Sequence, residues 1–387
     1  MTNITSTLPR PALSAPINRL ETLVFRVPLK TPRINSFGTM THRTALIVRL
    51  IDNDGAEGWG ECFCNWPSFA AEHRYRILTE LIAPRLKDKK FTCPADLVNH
   101  LNAEFRILRI QADEPGPFDQ SIAAVDIAAW DLAARKAGEP LYRVLGGQSD
   151  VASVPYYASG LSPNQANQIA RKELEIGTRA FKSKVGWGAK EDLASLAALR
   201  EVIGFDAVLM VDANQKWDLE TARQIIPSFR EFNLDWVEEP IPADHNSEDF
   251  AELASLGIPI AAGENVRSYD GFSSIMTTGK VSVIQPDIIK WGGITGCLMV
   301  AKDALRDNRR YCPHYLGGGI GLVATAHLLA AAGGDGLLEL DATPNILRTL
   351  LAHPFPILSD GELRLPQEPG LGVAPNLSAL TKFSCDI

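Results

Sequence analysis

The sequence has no apolar run approaching the ~18–20 residues that a membrane-crossing helix requires, which argues against a spanning protein and a membrane partner. Cysteine is scarce. Six residues at irregular spacing in a chain of 387 make no disulfide framework and suit a reducing cytoplasm, the expected location. Cys62 and Cys64 stand two apart, the wrong spacing for a zinc knuckle, and read as ordinary small hydrophobes. Positive charge is also in short supply. Lys and Arg number 38 against 46 Asp and Glu, a net charge of −8, so no nucleic-acid partner is expected. Gly (30) and Pro (25) are dispersed rather than clustered, which excludes a collagen-like repeat. Residues 1–16 are rich in Ser, Thr and Pro and carry no apolar core, so they are expected to form a mobile tail rather than a secretory signal. What remains is an ordinary globular composition, 45% hydrophobic and 22% charged, long enough for two or three domains or one large barrel with an addition.

Two β-rich runs, 20–27 and 45–50, are separated by a polar loop from Lys30 to Arg43. A turn at Asp52-Asn53-Asp54-Gly55 leads to a short third segment, Gly58-Trp59-Gly60-Glu61. Helical periodicity follows. Tyr75, Leu78, Leu81 and Ile82 make one stripe, and Leu97, Leu101, Phe105 and Leu108 a second. Ile122, Val125, Ile127, Ala129, Trp130 and Leu132 make a third, ending at Gly138-Glu139-Pro140. This first part reads as an α+β domain. After Gly146-Gly147 short apolar strands alternate with amphipathic helices. The strands fall near 154–158, 180–185, 207–212, 234–238, 259–263, 281–285, 310–313 and 337–340. Eight such units over about 200 residues fit a TIM-type barrel. A doubly wound open sheet would carry a Gly-rich phosphate turn after its first strand, and none is there.

Acids end three successive strands. Asp212 is followed 26 residues later by Glu238 and another 26 later by Glu264, about one βα unit each time. Each acid alone could cap the helix that follows. Three at one rim repel one another unless a hard divalent cation sits between them, and Mg²⁺ with oxygen ligands fits. Lys182 and Lys184 are two apart in a strand and share a face, here the barrel interior. Held close and buried, they are expected to depress each other's pKa, which suits a general base. Asp287 and His314 are 27 apart, at the ends of neighbouring strands, and can form a dyad in which the carboxylate fixes the imidazole tautomer. Glu339 and Asp341 bring further acids to the rim of the last strand. Gly317-Gly318-Gly319 lacks the Lys-Ser/Thr of a phosphate loop and points to close backbone approach. Bases on both sides of a metal suit removal of a proton next to a carboxylate.

These residues resemble those of the enolase superfamily, specifically its mandelate racemase subgroup. The resemblance spans nearly the whole chain after the tail. It rests on Lys182-Ser183-Lys184, the Asp212/Glu238/Glu264 triad, Asp287 with His314, Glu339, and the helix from Ala124-Val125-Asp126 to Leu145-Gly146-Gly147. It implies a modified α/β TIM barrel, (β/α)₇β, under an α+β N-terminal capping domain. The expected divisions are a tail at 1–16, a cap at 17–147, a barrel at 148–360 and a segment at 361–387 that returns to the cap. It implies one Mg²⁺ per subunit on Asp212, Glu238 and Glu264. Lys184 would be one base, with Lys182 tuning it and touching the substrate carboxylate. His314, assisted by Asp287, would be the other base, and Glu339 would hydrogen-bond the enediolate. It also implies a homo-oligomer, a dimer or an octamer.

Within the subgroup the same partial reaction leads to different products. Dehydration of an acid sugar (aldonate or aldarate) to a 2-keto-3-deoxy acid is the first expectation. Racemisation or epimerisation of a 2-hydroxy acid and lactone cycloisomerisation use the same two bases. A metal-dependent aldolase or hydrolase barrel, or a non-catalytic binding barrel, would not need both bases. Asn214 reads either as a substrate contact or as a helix cap. Lys290 matches a common family lysine whose role stays open. Asp341 with Arg348 suits polyhydroxylated or diacid substrates. Specificity is expected from two capping segments, one with Asn35, Ser36, Phe37, Met40 and His42, the other with Phe63, Asn65, Trp66 and Ser68, although their aromatics could equally pack the domain interface.

Overall fold

The computed structural model describes residues 8–35, 38–148, 153–385 and 387; for residues 31 and 33–35 it describes the backbone alone. Three antiparallel strands open the chain: β1 (Ile17–Asn35), β2 (Gly38–Asp52) and β3 (Glu57–Cys62). The segment expected as a loop at 30–43 is instead the far end of the β1–β2 hairpin, paired out to Asn35 and Gly38 after an irregularity between Pro28 and Arg33. On either side of that irregularity the backbone groups find cross-strand partners, so the polar and β-branched residues there lose little by extending. The Asp52–Gly55 turn is held by the Asp52 carboxylate, which accepts from the N–H groups of Asp54 and Ala56. The expected tail is also shorter than the composition implied. Leu8, Leu13 and Ala15 are buried, and the Leu13 N–H donates to the carbonyl of Thr92, so apolar burial ties down residues 8–16.

The longest helix, Pro115–Ala137, begins with Pro in its first turn and stops where Gly138 turns left-handed at φ 72°. It lies directly on β3. A side chain at Gly58 or Gly60 would collide with the carbonyls of Ala128 or Ala124, so two glycines let a small-residue helix touch the strand backbone to backbone. None of the helices formed by the described residues is long and apolar enough to cross a membrane.

Eight parallel strands follow: β4 (Ser153–Leu161), β5 (Ala180–Lys184), β6 (Val208–Asp212), β7 (Leu234–Glu238), β8 (Ile260–Ala262), β9 (Val283–Ile284), β10 (Arg310–Tyr311) and β11 (Leu338–Asp341). Ladders run in order from β4 to β10, and β11 returns to pair with β4. At the seam between β10 and β11 the Leu337 N–H donates to the Cys312 thiol at 3.4 Å. Tyr157, Ala180, Met210, Trp236, Ala261, Val283 and Cys312, one from each of β4 to β9 and the last just after β10, form an apolar plug inside the ring. Side chains alternate along a strand, so the residues two further on point the same way. On β5, β6 and β7 these are Lys182, Asp212 and Glu238. Past the ends of β9 and β10 they are Gln285 and His314, and Glu339 holds the matching place above Leu337 on β11. A polar layer therefore stands on an apolar one at the C-terminal rim. Two short strands, β12 (Leu358–Ser359) and β13 (Glu362–Arg364), then add to the start of β4. The chain continues onto the cap, where Leu371 donates to Asp131, Ser384 bridges Phe25 and Cys385 donates to the Val24 carbonyl.

Candidate active site

Register places the first charged groups. Lys184 on β5, Asp212 on β6 and Glu238 on β7 are successive cross-strand partners. Glu264 lies two residues past the end of β8. The alternative that these acids cap helices is removed: the three following helices are capped by Asp218, Asn246 and Ser268. Asp212 and Glu238 are 1% exposed and Glu264 8%, so each needs a positive partner. Lys182 Nζ lies 2.5 Å from Glu238 Oε1 and 2.9 Å from Glu339 Oε1. Lys184 Nζ lies 2.5 Å from Asp212. His314 Nε2 meets Glu264 at 2.7 Å, while its Nδ1 lies 2.8 Å from Asp287. The dyad expected from spacing is therefore present. Glu238 further accepts from Gln285 Nε2 (2.7 Å) and Trp236 Nε1 (3.1 Å), and Glu339 from the Tyr157 hydroxyl (3.1 Å).

Charge decides the protonation tendencies. Burial works against the Lys182 ammonium, but Glu238 and Glu339 outweigh it and hold its pKa well above the ordinary lysine value. Burial likewise opposes the Lys184 ammonium and Lys182 repels it, but Asp212, with a smaller contribution from Glu238, leaves its pKa raised. The net shift of both lysines is upward rather than the expected depression: burial and, for Lys184, the neighbouring Lys182 do lower the pKa, but the facing carboxylates outweigh them. Burial disfavours the imidazolium of His314, yet Glu264 and Glu339 keep its pKa well above the usual histidine range.

Glu239 was not legible beforehand, and the role of Lys290 was open. Glu239, 2% exposed and in the left-handed region at φ 38°, accepts twice from the Asn265 amide. Lys290 donates to Asn265 Oδ1 (2.7 Å) and Glu264 (3.3 Å) with Phe63 against it, which makes it a link between the loop after β9 and Glu264. Only the adjacency in Glu238-Glu239-Pro240 hinted at Glu239. Asn214 is no helix cap. Its N–H and its amide both donate to Asp212, at 2.7 and 3.2 Å. Asp341 is taken up by Arg43 of the cap (2.5 Å) and by Thr343. This makes it a domain tie, set one strand repeat above Glu339, rather than an open substrate contact. Trp66 is half-buried and faces Gly38 at the hairpin end. Asn65 donates to the Leu316 carbonyl at 2.9 Å. The side chain of Asn35, and Ser36 and Phe37, lie outside the described residues. The close approach expected of the Gly run is present: a Cβ on Gly318 would stand 2.8 Å from a Glu61 oxygen.

Whether this set suits a divalent cation follows from its chemistry. Six buried carboxyl groups, Asp212, Glu238, Glu239, Glu264, Asp287 and Glu339, surround four cationic groups, Lys182, Lys184, Lys290 and His314. The donors are hard oxygens, and the excess is negative, as Mg²⁺ requires. Among the described residues no three metal-binding groups already stand in a closed cluster. Asp212, Glu238 and Glu264 are each turned toward a lysine or the histidine, partners a cation would compete with.

Family models match both parts of the chain: the N-terminal domain of mandelate racemase / muconate lactonizing enzyme over residues 19–146, and the enolase C-terminal domain-like model over 165–379. The chain belongs to the enolase superfamily. Among curated superfamily members, D-galactarolactone cycloisomerase of Agrobacterium fabrum is 30% identical, across 95% of this chain and 98% of its own. The L-talarate/galactarate dehydratase of Salmonella typhimurium is 36% identical over about half of each chain (51% and 50%). A mandelate racemase/muconate lactonizing enzyme structure from Bordetella bronchiseptica superposes with a TM-score of 0.89 at 43% identity, covering 95% of this chain and 99% of that one. A Streptomyces coelicolor racemase with bound magnesium gives 0.86 at 28%, covering 95% and 100%. Superfamily members use Mg²⁺. The relatives are dehydratases, cycloisomerases and racemases, so enzyme activity of this superfamily is supported.

Proposed function

We propose that this chain removes the proton α to a substrate carboxylate with Mg²⁺ present, and that it dehydrates an acid sugar, an aldonate or aldarate, to a 2-keto-3-deoxy acid. The observation that carries the reading is the pair of basic groups flanking one carboxylate set: Lys182 and Lys184 on β5, and His314 with Asp287 beyond β9 and β10. Asp212, Glu238 and Glu264 would hold the cation, which when bound supplies Lewis-acid stabilisation of the charge that grows on the substrate carboxylate. With Asp212 drawn to the cation, Lys184 is released from the carboxylate that holds its proton and takes the α-proton on one face. Lys182 donates to the substrate carboxylate, and Glu339, when it carries a proton, donates to the enediolate oxygen. His314, held by Asp287, delivers a proton to the β-hydroxyl as the C–O bond breaks and water leaves. The enol formed then tautomerises to the ketone. A cycloisomerase reading uses the same groups and draws on the galactarolactone relative, which matches nearly end to end.

The test is a panel of acid sugars and their lactones with Mg²⁺ in D₂O, followed by NMR. A 2-keto-3-deoxy product is the expected result. Exchange or inversion without water loss would move the assignment to racemisation, and lactone opening to cycloisomerisation. If Lys184→Ala and His314→Asn leave exchange and turnover unchanged, the two-base reading fails.

A further inference from the structure

The two halves of the polar layer are built differently. On the lysine side, β5, β6 and β7 have five residues each and hold one another by ladders. On the histidine side, β9 and β10 have two residues each. Two residues of pairing cannot by themselves fix the loops that carry Asp287 and His314.

The cap reaches those loops. Glu61, at the end of β3 and 1% exposed, accepts from the N–H groups of Gly318 and Gly321 (2.9 Å for the latter), the first turn of helix Gly319–Ala332. These are among the four N–H groups that a helix cannot satisfy itself. Two residues on, the Phe63 N–H donates to the Ile289 carbonyl at 3.2 Å. Two further, Asn65 donates to Leu316. One stretch of the cap, 61–65, therefore grips the loop after Asp287 and the loop after His314 together. Asp126, wholly buried in the long cap helix, does the same for the preceding barrel helix, Gly293–Arg306. Its carboxyl accepts from the Thr295 N–H (2.8 Å) and hydroxyl (2.6 Å), and Trp130 Nε1 donates to that hydroxyl. The glycines make room for these carboxyls. A Cβ on Gly293 would collide with Asp126, and one on Gly317 or Gly318 would crowd Glu61.

We propose that Glu61 and Asp126 are positioning residues for the Asp287–His314 dyad, so that the cap sets the geometry of one of the two bases. The inference rests on the two-base reading above. Neither residue touches the reacting atoms. Each fixes the start of a helix four to eight residues after a dyad member, and the Asp287 loop is stiffened internally by its own bonds to Ile289, Lys290 and Trp291.

The experiment compares the full-length Mg²⁺-loaded protein with Glu61→Gln, Glu61→Ala and Asp126→Asn, first by hydrogen–deuterium exchange. Expected is at least fivefold faster uptake in peptides covering 287–295 and 312–322, with 180–186 and 208–214 unchanged. Uniform change, or none, overturns the proposal. Kinetics follow on whichever panel compound turns over. A misplacement on the order of 1 Å costs about 100-fold, so kcat should fall between tenfold and 100-fold with KM within twofold. Glu61→Gln, which keeps one accepting oxygen, should lose less than Glu61→Ala. Lower thermal stability with kcat intact overturns the proposal. Deuterium exchange needs no substrate, so it decides the cap's grip even where the panel rejects the reaction. If Glu61→Ala does not fold, the near-isosteric Glu61→Gln and Asp126→Asn carry the test.

Discussion

The lysine half and the histidine half of the rim solve one problem by different means. Both place charged groups in a buried ring. In the lysine half the solution is local. Lys184, Asp212 and Glu238 are partners across adjacent ladders, and their charges neutralise one another at hydrogen-bond distance. In the histidine half the strands are two residues long, and the fixed points come from residues far away in sequence. Glu61 lies 257 residues from Gly318, and Asp126 lies 169 from Thr295. A sheet holds its own side chains where its ladders are long. Where they are short, another domain must do so. Arg43, from the cap hairpin, adds a further tie from cap to barrel at Asp341 beyond Glu339.

Breaking the lysine half has the largest expected effect. Lys182→Met leaves Glu238 and Glu339 without their common cation. The loss should abolish turnover and lower the unfolding free energy of the Mg²⁺-free protein by about 3–5 kcal/mol in denaturant titrations. The histidine half should respond to acid. His327, buried in helix Gly319–Ala332, accepts from the Tyr142 N–H of the cap and lies against the Leu371 carbonyl. Burial pushes its pKa from 6.5 down to about 4. The folded state resists a proton that the unfolded chain accepts, so stability is full above pH ~6.5, falls as pH drops toward about 4, and is then flat with respect to this group. The total loss should be about 3 kcal/mol, and His327→Gln should remove that slope from stability measured against pH. Next, Mg²⁺ at about 100 times its Kd should raise stability by about 2.7 kcal/mol in a thermal shift assay, and Asp212→Asn should abolish the gain. The smallest effect sharpens the comparison from outside both halves. Arg223 pairs with Glu220 and Glu252 on the exposed surface, where solvent screens the pair, and Arg223→Ala should leave the denaturation midpoint and turnover unchanged within error.

Local pattern made some features legible in advance. All eight barrel strands, and the acids and bases at their ends, follow from apolar runs that repeat at the length of a βα unit and from the two-residue alternation that aims Lys182, Asp212 and Glu238 inward. The cap was harder to read. The hairpin end at 30–43 carries no apolar alternation and looked like a loop, and the burial of Leu8 and Leu13 depends on surfaces supplied elsewhere. Glu61 and Asp126 carry no local sign of their task, since a lone acid in a strand or helix looks the same whether it meets water or a distant helix start.

The barrel and the candidate site residues were legible from periodicity and spacing along one chain, and the family from the resemblance of the Lys182-Ser183-Lys184, Asp212/Glu238/Glu264 and Asp287/His314 motifs. Tertiary structure decided the rest. It showed that carboxylates at 2.5–2.9 Å, not the neighbouring ammonium, govern Lys182 and Lys184. It showed that Asp341 holds the cap, and that cap residues brace the histidine half. Electrostatics and helix capping depend on distance in space, and folding alone sets those distances.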